Sequence, residues 1–501
     1  MHNRRVPAKI AVAVVFIAAN FMAIMDTTIV NVALPTVGHD FGVDPSGLSA
    51  VNVGYLVALA VFIPASGWLG NRFGTRRTML AALLLFTVAS GLCATAGSLG
   101  ALTAYRILQG VAGGLLTPVG MTMMLRAFPL AERLRAQKYM MLPTAVAPAL
   151  GPVLGGWLVD TVSWHWVFLV NLPVGALALV FGLLFLPDLP GGSRSRFDVA
   201  GFVLAGAGLA SVLYALTEGA NRGWGSAGIL VALVGGVVLL AVMVLWELRA
   251  AHPMINLRVT KDQLFRTTQL ALLPINATFM GVLYLYPLFL QTALGYDALH
   301  SGLATFPEAL GMMTASQLVS RLYDRIGPRR LMAAGGTGAA LLMALMATFT
   351  AGTSSLVFYP MLYLLGVCVG HLVMTAQNTA FATIPPARMG DATTVLNMQR
   401  QTGAAFGTAL VGTLLAVLGT TTSTGQVDTT AYHVGFVTLG AITLCAALLA
   451  LRISDRTVRA AFRAAAAPTP AAPGDAGPAG DASAGAAPTD ATSPGRPADL
   501  A

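Results

Sequence analysis

The stretch Gly67-Trp68-Leu69-Gly70-Asn71-Arg72-Phe73-Gly74-Thr75-Arg76-Arg77 is a short, basic, glycine-bearing turn between two long apolar runs. It recurs 253 positions later as Ser320-Arg321-Leu322-Tyr323-Asp324-Arg325-Ile326-Gly327-Pro328-Arg329-Arg330. Leu69, Arg72, Gly74, Arg76 and Arg77 return in register as Leu322, Arg325, Gly327, Arg329 and Arg330, while Asp324 stands where the first copy has Asn71. Each copy joins two hydrophobic segments. A loop duplicated in matching halves of a chain with many apolar segments is how an internal repeat shows itself in transporters.

Outward from these loops the chain is lipid-like. Of its 501 residues 56% are hydrophobic and only 10% charged, with a mean hydropathy of +0.74; a soluble domain carries about 25% charged residues. Runs of the roughly 20 residues that span a bilayer fall near 10–34, 48–70, 78–97, 101–126, 138–160, 165–187, 198–217, 227–247, 269–294, 299–320, 330–350, 355–381, 397–420 and 432–453. In lipid the backbone must satisfy its own hydrogen bonds, so these are expected to be helices. The first run is too long for a cleaved leader and has no convincing cleavage site.

The net charge of +9 is explained by position rather than by a nucleic-acid partner. Arg4, Arg5 and Lys9; Arg72, Arg76 and Arg77; Arg126, Arg133, Arg135 and Lys138; Arg194 and Arg196; Arg249, Arg258, Lys261 and Arg266; the second loop; and Arg452 to Arg463 all fall on one side of the expected spans. Only Arg222 falls in a loop on the other side, which carries Asp40, Asp44, Asp297 and Asp428 instead. The positive-inside rule then places both termini in the cytoplasm of a multi-pass cell-membrane protein.

The two loops follow the second and the tenth span. Six-plus-two-plus-six is the arrangement that gives both the same place in a six-helix unit, with the seventh and eighth spans inserted. The expected divisions are a six-helix bundle over 1–187, a linker with two added helices over 188–265, a second bundle over 266–455, and a disordered cytoplasmic tail over 456–501. The Ala, Pro, Gly, Ser, Thr and Asp composition of that tail buries too little to order itself. The three cysteines, Cys93, Cys368 and Cys445, lie inside apolar runs without metal-ligand spacing, so they are read as small apolar fillers, and no metal or cofactor is expected.

A few polar groups interrupt the spans. Asp26 lies in the first, roughly 12 Å below its outer end at 1.5 Å per residue. A carboxylate there is costly and needs a cavity or a partner, which makes it either a structural acid paired within the bundle or, the favoured reading, a proton or cation site. Arg106 in the fourth span is at a similar depth, close enough to pair with that acid. Glu308, roughly 14 Å inside the tenth span, is a second acid in the opposite half. With Asn276, Tyr284 and Gln109 it makes the candidate substrate cavity. In the fifth span, small residues at 147, 151 and 155 make a flat face that a neighbouring helix can approach.

Taken in order, Asp26-Thr27-Thr28-Ile29-Val30-Asn31-Val32-Ala33-Leu34-Pro35, the Gly67 to Arg77 loop, Arg106-x-x-Gln109-Gly110, Gly151-Pro152-x-x-Gly155-Gly156 and Trp166-Val167-Phe168-Leu169-Val170-Asn171-Leu172-Pro173-x-Gly175 closely resemble the major facilitator superfamily. The branch is its fourteen-helix drug/proton antiporters, of EmrB/QacA type, over about residues 10–455. The resemblance implies an all-α membrane protein of two six-helix bundles plus two inserted helices. In that family Gly151, Pro152, Gly155 and Gly156 form an antiporter motif. Asp26 and Arg106 correspond to residues associated with proton coupling. Gly67, Asn71, Arg72, Gly74, Arg76 and Arg77, with Asp324, Arg325 and Gly327, look like gate elements. Asn71 replaces the usual Asp, so an ion pair expected there is missing in the first half and kept by Asp324 in the second. His165 stands where similar chains often have Arg.

The expected function is proton-coupled export of small amphipathic or cationic compounds by alternating access, by a monomer whose partners are its cargo, protons and the bilayer. An uncoupled or proton-symporting metabolite carrier is the alternative, disfavoured by the fifth-span motif. An enzyme is not expected, because no Ser/His/Asp set, acid pair or metal cluster stands in the loops. Nor is there a Gly-x-x-x-x-Gly-Lys-Ser/Thr loop for ATP.

Overall fold

A backbone in hydrocarbon has no water to bond with, and the chain meets that constraint with helices throughout. In the computed structural model the described residues are 7–43, 45–188, 196–250, 253–296, 298–350, 353, 355–419 and 428–466. Arg4, Arg5, Asp44, Arg194, Asp297 and the tail beyond 466, all used in the sequence reading, lie outside them. The first bundle comprises α1 (Ala8–Phe41), α2 (Pro45–Phe73), α3 (Thr75–Ala94), α4 (Leu99–Ala127), α5 (Leu130–Thr161) and a sixth segment broken into α6 (Trp166–Leu169) and α7 (Asn171–Phe185). The inserted pair is α8 (Val199–Arg222) and α9 (Ala227–Arg249). The second bundle is α10 (Gln263–Leu288), α11 (Ala298–Ile326), α12 (Pro328–Met346), α13 (Ser355–Ala380), α14 (Met389–Leu418) and α15 (Thr430–Ala450).

Among the described residues eleven helices are long and apolar enough to cross a membrane. The other three expected spans correspond to α5, α11 and α12. Helices run past the apolar runs that foretold them, because polar residues at both ends continue the same turns. α1 extends to Phe41 rather than stopping near 34, with Pro35 inside it. Asp26 therefore sits near mid-helix, roughly 22 Å from the outer end rather than 12 Å. The sequence placed the tail from 456, but Asp455–Ala466 forms a further helix, α16. Val458 is its buried anchor, and Phe462 packs beside Tyr323 with ring centroids 5.7 Å apart.

The duplication is visible in backbone and packing alike. Gly74 and Gly327, matched in the two loops, precede α3 and α12 with φ of 86° and 90°, a region nearly closed to other residues. In each half the second and fourth helices meet through glycine. A Cβ on Gly110 would stand 2.4 Å from the Tyr55 carbonyl, and one on Gly366 2.0 Å from that of Glu308. The inserted α8 packs on α9 and lies against α2 and α14, one helix from each half. Val231, Val234, Val237 and Val238 of α9 remain exposed, which is the outer surface a lipid-facing helix presents.

Gly327→Ala should cost about 1–3 kcal/mol from its backbone conformation alone, with a further clash because Asp455 Oδ2 would lie 2.8 Å from the new methyl. Gly70→Ala is the control, its methyl meeting only Thr75 at 3.4 Å. Thermal unfolding in detergent should show a midpoint lower by several degrees for the first and unchanged for the second. Equal midpoints would remove the strained turn from the account.

Candidate proton site and inter-half closure

Asp26 and Arg106 are brought together from α1 and α4 as a buried ion pair. Arg106 Nη1 donates to Asp26 Oδ2 at 2.5 Å, and the two side chains are 0% and 1% exposed. One turn along α4, Gln109 turns the pair into a network. Its amide donates to Asp26 Oδ1 at 2.9 Å and to Ser90 Oγ at 3.2 Å, and its carbonyl accepts from Arg106 Nη1 at 2.7 Å. Asn171, the first residue of α7, also donates to Asp26 Oδ1, at 2.9 Å, and to Ser90 at 3.0 Å. The Tyr55 ring of α2 lies 4.2 Å from the guanidinium carbon, a cation–π contact that helps replace lost water. Five helices thus converge on one carboxylate.

Three polar atoms there have no hydrogen-bond partner among the described residues: Arg106 Nε, Asn171 Oδ1 and the Tyr55 hydroxyl. Buried polar atoms are nearly always satisfied, so this cluster around an acid is hydrogen-bonding capacity that the described side chains leave unused. α5 sets the other wall. Gly151 and Gly155 press on α1 two and three residues past the acid, where their Cβ atoms would fall 2.0 Å from Thr28 Oγ1 and 3.0 Å from Ile29 Cγ1. Gly156 faces open space. The side chain of Pro152 lies outside the described residues.

Gln109 belongs to the acid's network rather than to an open cavity, a correction to its sequence assignment. Asn171 and Ser90 were not singled out as site residues. Asn171 stood inside the Trp166 to Gly175 motif, so a signal existed; Ser90 and Tyr55 are ordinary residues in apolar runs and gave none. Glu308 is 4% exposed and has no hydrogen bond or ion pair among the described residues. The tyrosine near it is Tyr286, whose buried hydroxyl is also without a partner among the described residues. Tyr284 instead is half-exposed, on the α10 stripe that carries exposed Leu270 and Leu273. A two-residue step turns a helix by about 200°, so the wrong tyrosine faces away. Asn276 bonds back to the Leu272 carbonyl, beside Gly403 of α14.

The halves close on each other at the side bearing the basic loops. Ser66 Oγ is 3.2 Å from Thr394 Oγ1, and Thr122 Oγ1 is 2.7 Å from Thr393 Oγ1. Gly67 lets α2 approach α14, since a Cβ there would sit 2.8 Å from Thr394 Oγ1 and 3.3 Å from the Gly390 carbonyl. Arg133 of α5 donates to the Phe381 carbonyl at 3.2 Å.

Asn71 does make a loop contact: its Oδ1 accepts from Arg126 Nη2 at 2.9 Å, an amide where an acid would form an ion pair. Asp324 does not supply the missing pair in the second half. It is exposed, without a hydrogen bond or ion pair among the described residues. The acid on that loop is Asp455, which accepts from the Arg329 backbone N–H at 2.9 Å and so caps the start of α12. The matched Arg76 donates to Asp188 at 3.0 Å and to the Leu183 carbonyl at 2.8 Å. In each half the acid holding the loop therefore comes from just beyond the sixth helix, a long-range partner that loop-to-loop comparison cannot show. His165 stacks on Trp164 at 3.8 Å, and Trp164 donates to Asp40 at 2.7 Å.

Among known proteins, the profile of the Major Facilitator Superfamily matches residues 16–408. The chain is 33% identical over 410 residues to the multidrug resistance protein B homolog of Mycobacterium tuberculosis, covering 80% of this chain and 75% of that one. It is 34% identical over 410 residues to the putative multidrug resistance protein MdtD of Salmonella heidelberg, covering 80% and 85%. Among solved structures it superposes on the human organic anion transporter MFSD10 with a TM-score of 0.65 at 15% identity, over 89% of this chain and 100% of that one. The proton:xylose symporter XylE superposes with a TM-score of 0.58 at 16% identity, over 88% and 94%.

Removing Arg106 while Asp26 stays would leave a buried carboxylate uncompensated. Arg106→Gln should destabilise the protein by about 3–5 kcal/mol, and adding Asp26→Asn should restore most of the loss. A double-mutant cycle on thermal stability in detergent checks this. Additive losses would mean that the two groups are not energetically coupled.

Proposed function

The chain belongs to the major facilitator superfamily, and from that premise we propose that it exports small amphipathic drugs or natural products across the cell membrane in exchange for protons. The observation that carries the reading is the buried Asp26–Arg106 pair with its ring of donors. The names of its relatives, multidrug resistance proteins, support the class of cargo. A transporter of this family works as a carrier, not as an enzyme.

The basic side of the molecule is the cytoplasmic side, in keeping with the charge bias. The closure by Ser66, Thr122, Thr393, Thr394 and the Gly67–Gly390 approach then seals the cytoplasmic end, leaving the centre directed outward. Alternating access rocks the second bundle against the first around the site between them. Among the described residues the contacts to be broken are hydroxyl pairs, one bond from Arg133 to the Phe381 carbonyl and the attraction between Arg126 and Asp391, with no salt bridge between halves, so the cost of opening is modest.

A proton arriving at Asp26 cancels the carboxylate charge. Arg106 then loses its counter-ion, and the two unpartnered acceptors beside it, Asn171 Oδ1 and the Tyr55 hydroxyl, become the natural place for its N–H groups to turn. Cargo and proton need no contact with each other. Exchange requires only that each bind the two conformations unequally. Glu308, Tyr286 and Asn276, on α11 and α10, supply polar groups on the second-bundle side for cargo.

Asp26→Asn keeps the shape and the two amide acceptor contacts but has no titrating group. Because Arg106 loses its counter-ion, Asp26→Asn should be less thermally stable than wild type but still insert and bind cargo, and it should lose export driven by an imposed pH gradient in proteoliposomes down to the level of protein-free vesicles. Dye exchange without a gradient should persist. Gradient-driven export at the wild-type rate would exclude Asp26 as the coupling acid, and loss of both gradient-driven and exchange transport would point to a structural role instead.

A further inference from the structure

Arg400 was not singled out in the sequence, because it lies three residues past the expected start of its span at 397. The helix actually begins at Met389, so Arg400 is roughly 16 Å inside it. It is partly exposed, and among the described residues it has no hydrogen bond and no ion pair. An arginine at such depth without an acid is unusual, since charged groups in spans face a cavity or a partner.

Its direction follows from helix periodicity. Thr393, Asn397 and Arg400, spaced by four and three, share one face of α14. Thr393 touches Thr122 of α4 at 2.7 Å, so this face is turned toward the first bundle, and Arg400 stands about two turns deeper than the closure contact. Orphaned polar atoms lie on the same helix and on α10 beside it. Asn397 is 1% exposed and its Oδ1 has no partner; Gln269 of α10 is 8% exposed and neither its Oε1 nor its Nε2 has one. Gln399, adjacent to Arg400, donates to the backbone carbonyl of Gln269 at 2.5 Å, which holds α10 and α14 together at this level.

We propose that Arg400 is an anion-recognition point of the cargo site, taking the carboxylate, sulfonate or phosphate group of an amphipathic compound, with the Gln269 amide as a second donor. The anion of the ligand supplies the counter-charge that no described side chain gives the guanidinium, whose planar fork suits a two-oxygen anion. Gln269 offers an N–H of the right polarity, while Asn397 Oδ1, an acceptor, suits a hydroxyl or amide on the same ligand. Asp26 and Arg106 are occupied with each other, so they do not compete for this role. Glu308 keeps its own place on α11 for a cationic or donor group, and a zwitterion would engage both. The assignment deepens the export reading by naming a feature of the cargo, and it rests on that reading only for the direction of transport.

The test is equilibrium binding by the purified full-length protein in nanodiscs, so its failure is separable from failure of export. The probes are three xanthene dyes of similar size: an anionic carboxyfluorescein, its neutral ester and a cationic rhodamine. Wild-type protein should bind the anionic dye. Arg400→Gln should weaken that binding about tenfold or more and change the other two less than twofold, while Arg400→Lys, which keeps the charge but not the fork, should fall between. Thermal stability of Arg400→Gln should equal or exceed wild type, since an uncompensated charge has been removed. The assignment is overturned if wild type binds no anionic dye, if Arg400→Gln binds it normally, or if all three dyes lose affinity together. Normal dye discrimination in a protein that exports nothing would refute the export reading while leaving Arg400 as the anion site.

Discussion

A carboxylate in the middle of a membrane helix has to be neutralised by something, and the first bundle is arranged to do that for Asp26. Arg106 supplies the charge, Gln109 and Asn171 supply N–H groups, Ser90 ties those two amides together, and Tyr55 covers the guanidinium with its ring. The requirement reaches into the packing. Asn171 can touch Asp26 only because the sixth span is broken into α6 and α7 just before it. α1 can hold the acid centrally because Gly151 and Gly155 let α5 come close beside it. Removing a single partner leaves a charge in low dielectric, which costs more than the intact pair contributes.

The second bundle repeats the frame without repeating the charge network. Gly327 turns as Gly74 does, and α11 meets α13 through glycine as α2 meets α4. Yet Glu308 and Arg400, its two charged groups at depth, are each without an ionic partner among the described residues. The repeat is thus asymmetric: a satisfied, self-contained acid on one side and open polar groups on the other. Between them the closure is made of Ser–Thr and Thr–Thr hydroxyl pairs, a glycine approach and the Arg133 bond to the Phe381 carbonyl, contacts weak enough to break and re-form.

Much of this was legible in the sequence for a physical reason. Apolar runs of membrane length, basic residues on one side and a duplicated loop report directly on the solvent each segment meets, and they sufficed for the helix order; the family came from the resemblance of the ordered motifs from Asp26 to Gly175. Depth and facing were less legible. Hydropathy marks where a run is apolar and not where a helix ends, so Asp26 was placed too shallow and Arg400 was not singled out. Facing depends on neighbours distant in the chain, which is why Tyr284 was favoured over Tyr286 and Gln109 was assigned to a cavity. The acid that holds the second loop, Asp455, lies 126 positions from Arg329; no local pattern joins them.

The central claim is that Asp26 carries the proton exchanged for cargo. Its most direct measurement is proton release on adding a transported compound to the purified protein in weakly buffered detergent solution, followed with a pH-indicating dye. If cargo favours the state in which Asp26 is ionised against Arg106, wild-type protein should release protons on binding and Asp26→Asn should bind the same compound and release none. Undiminished release from Asp26→Asn would contradict the account and place the exchanged proton on another group.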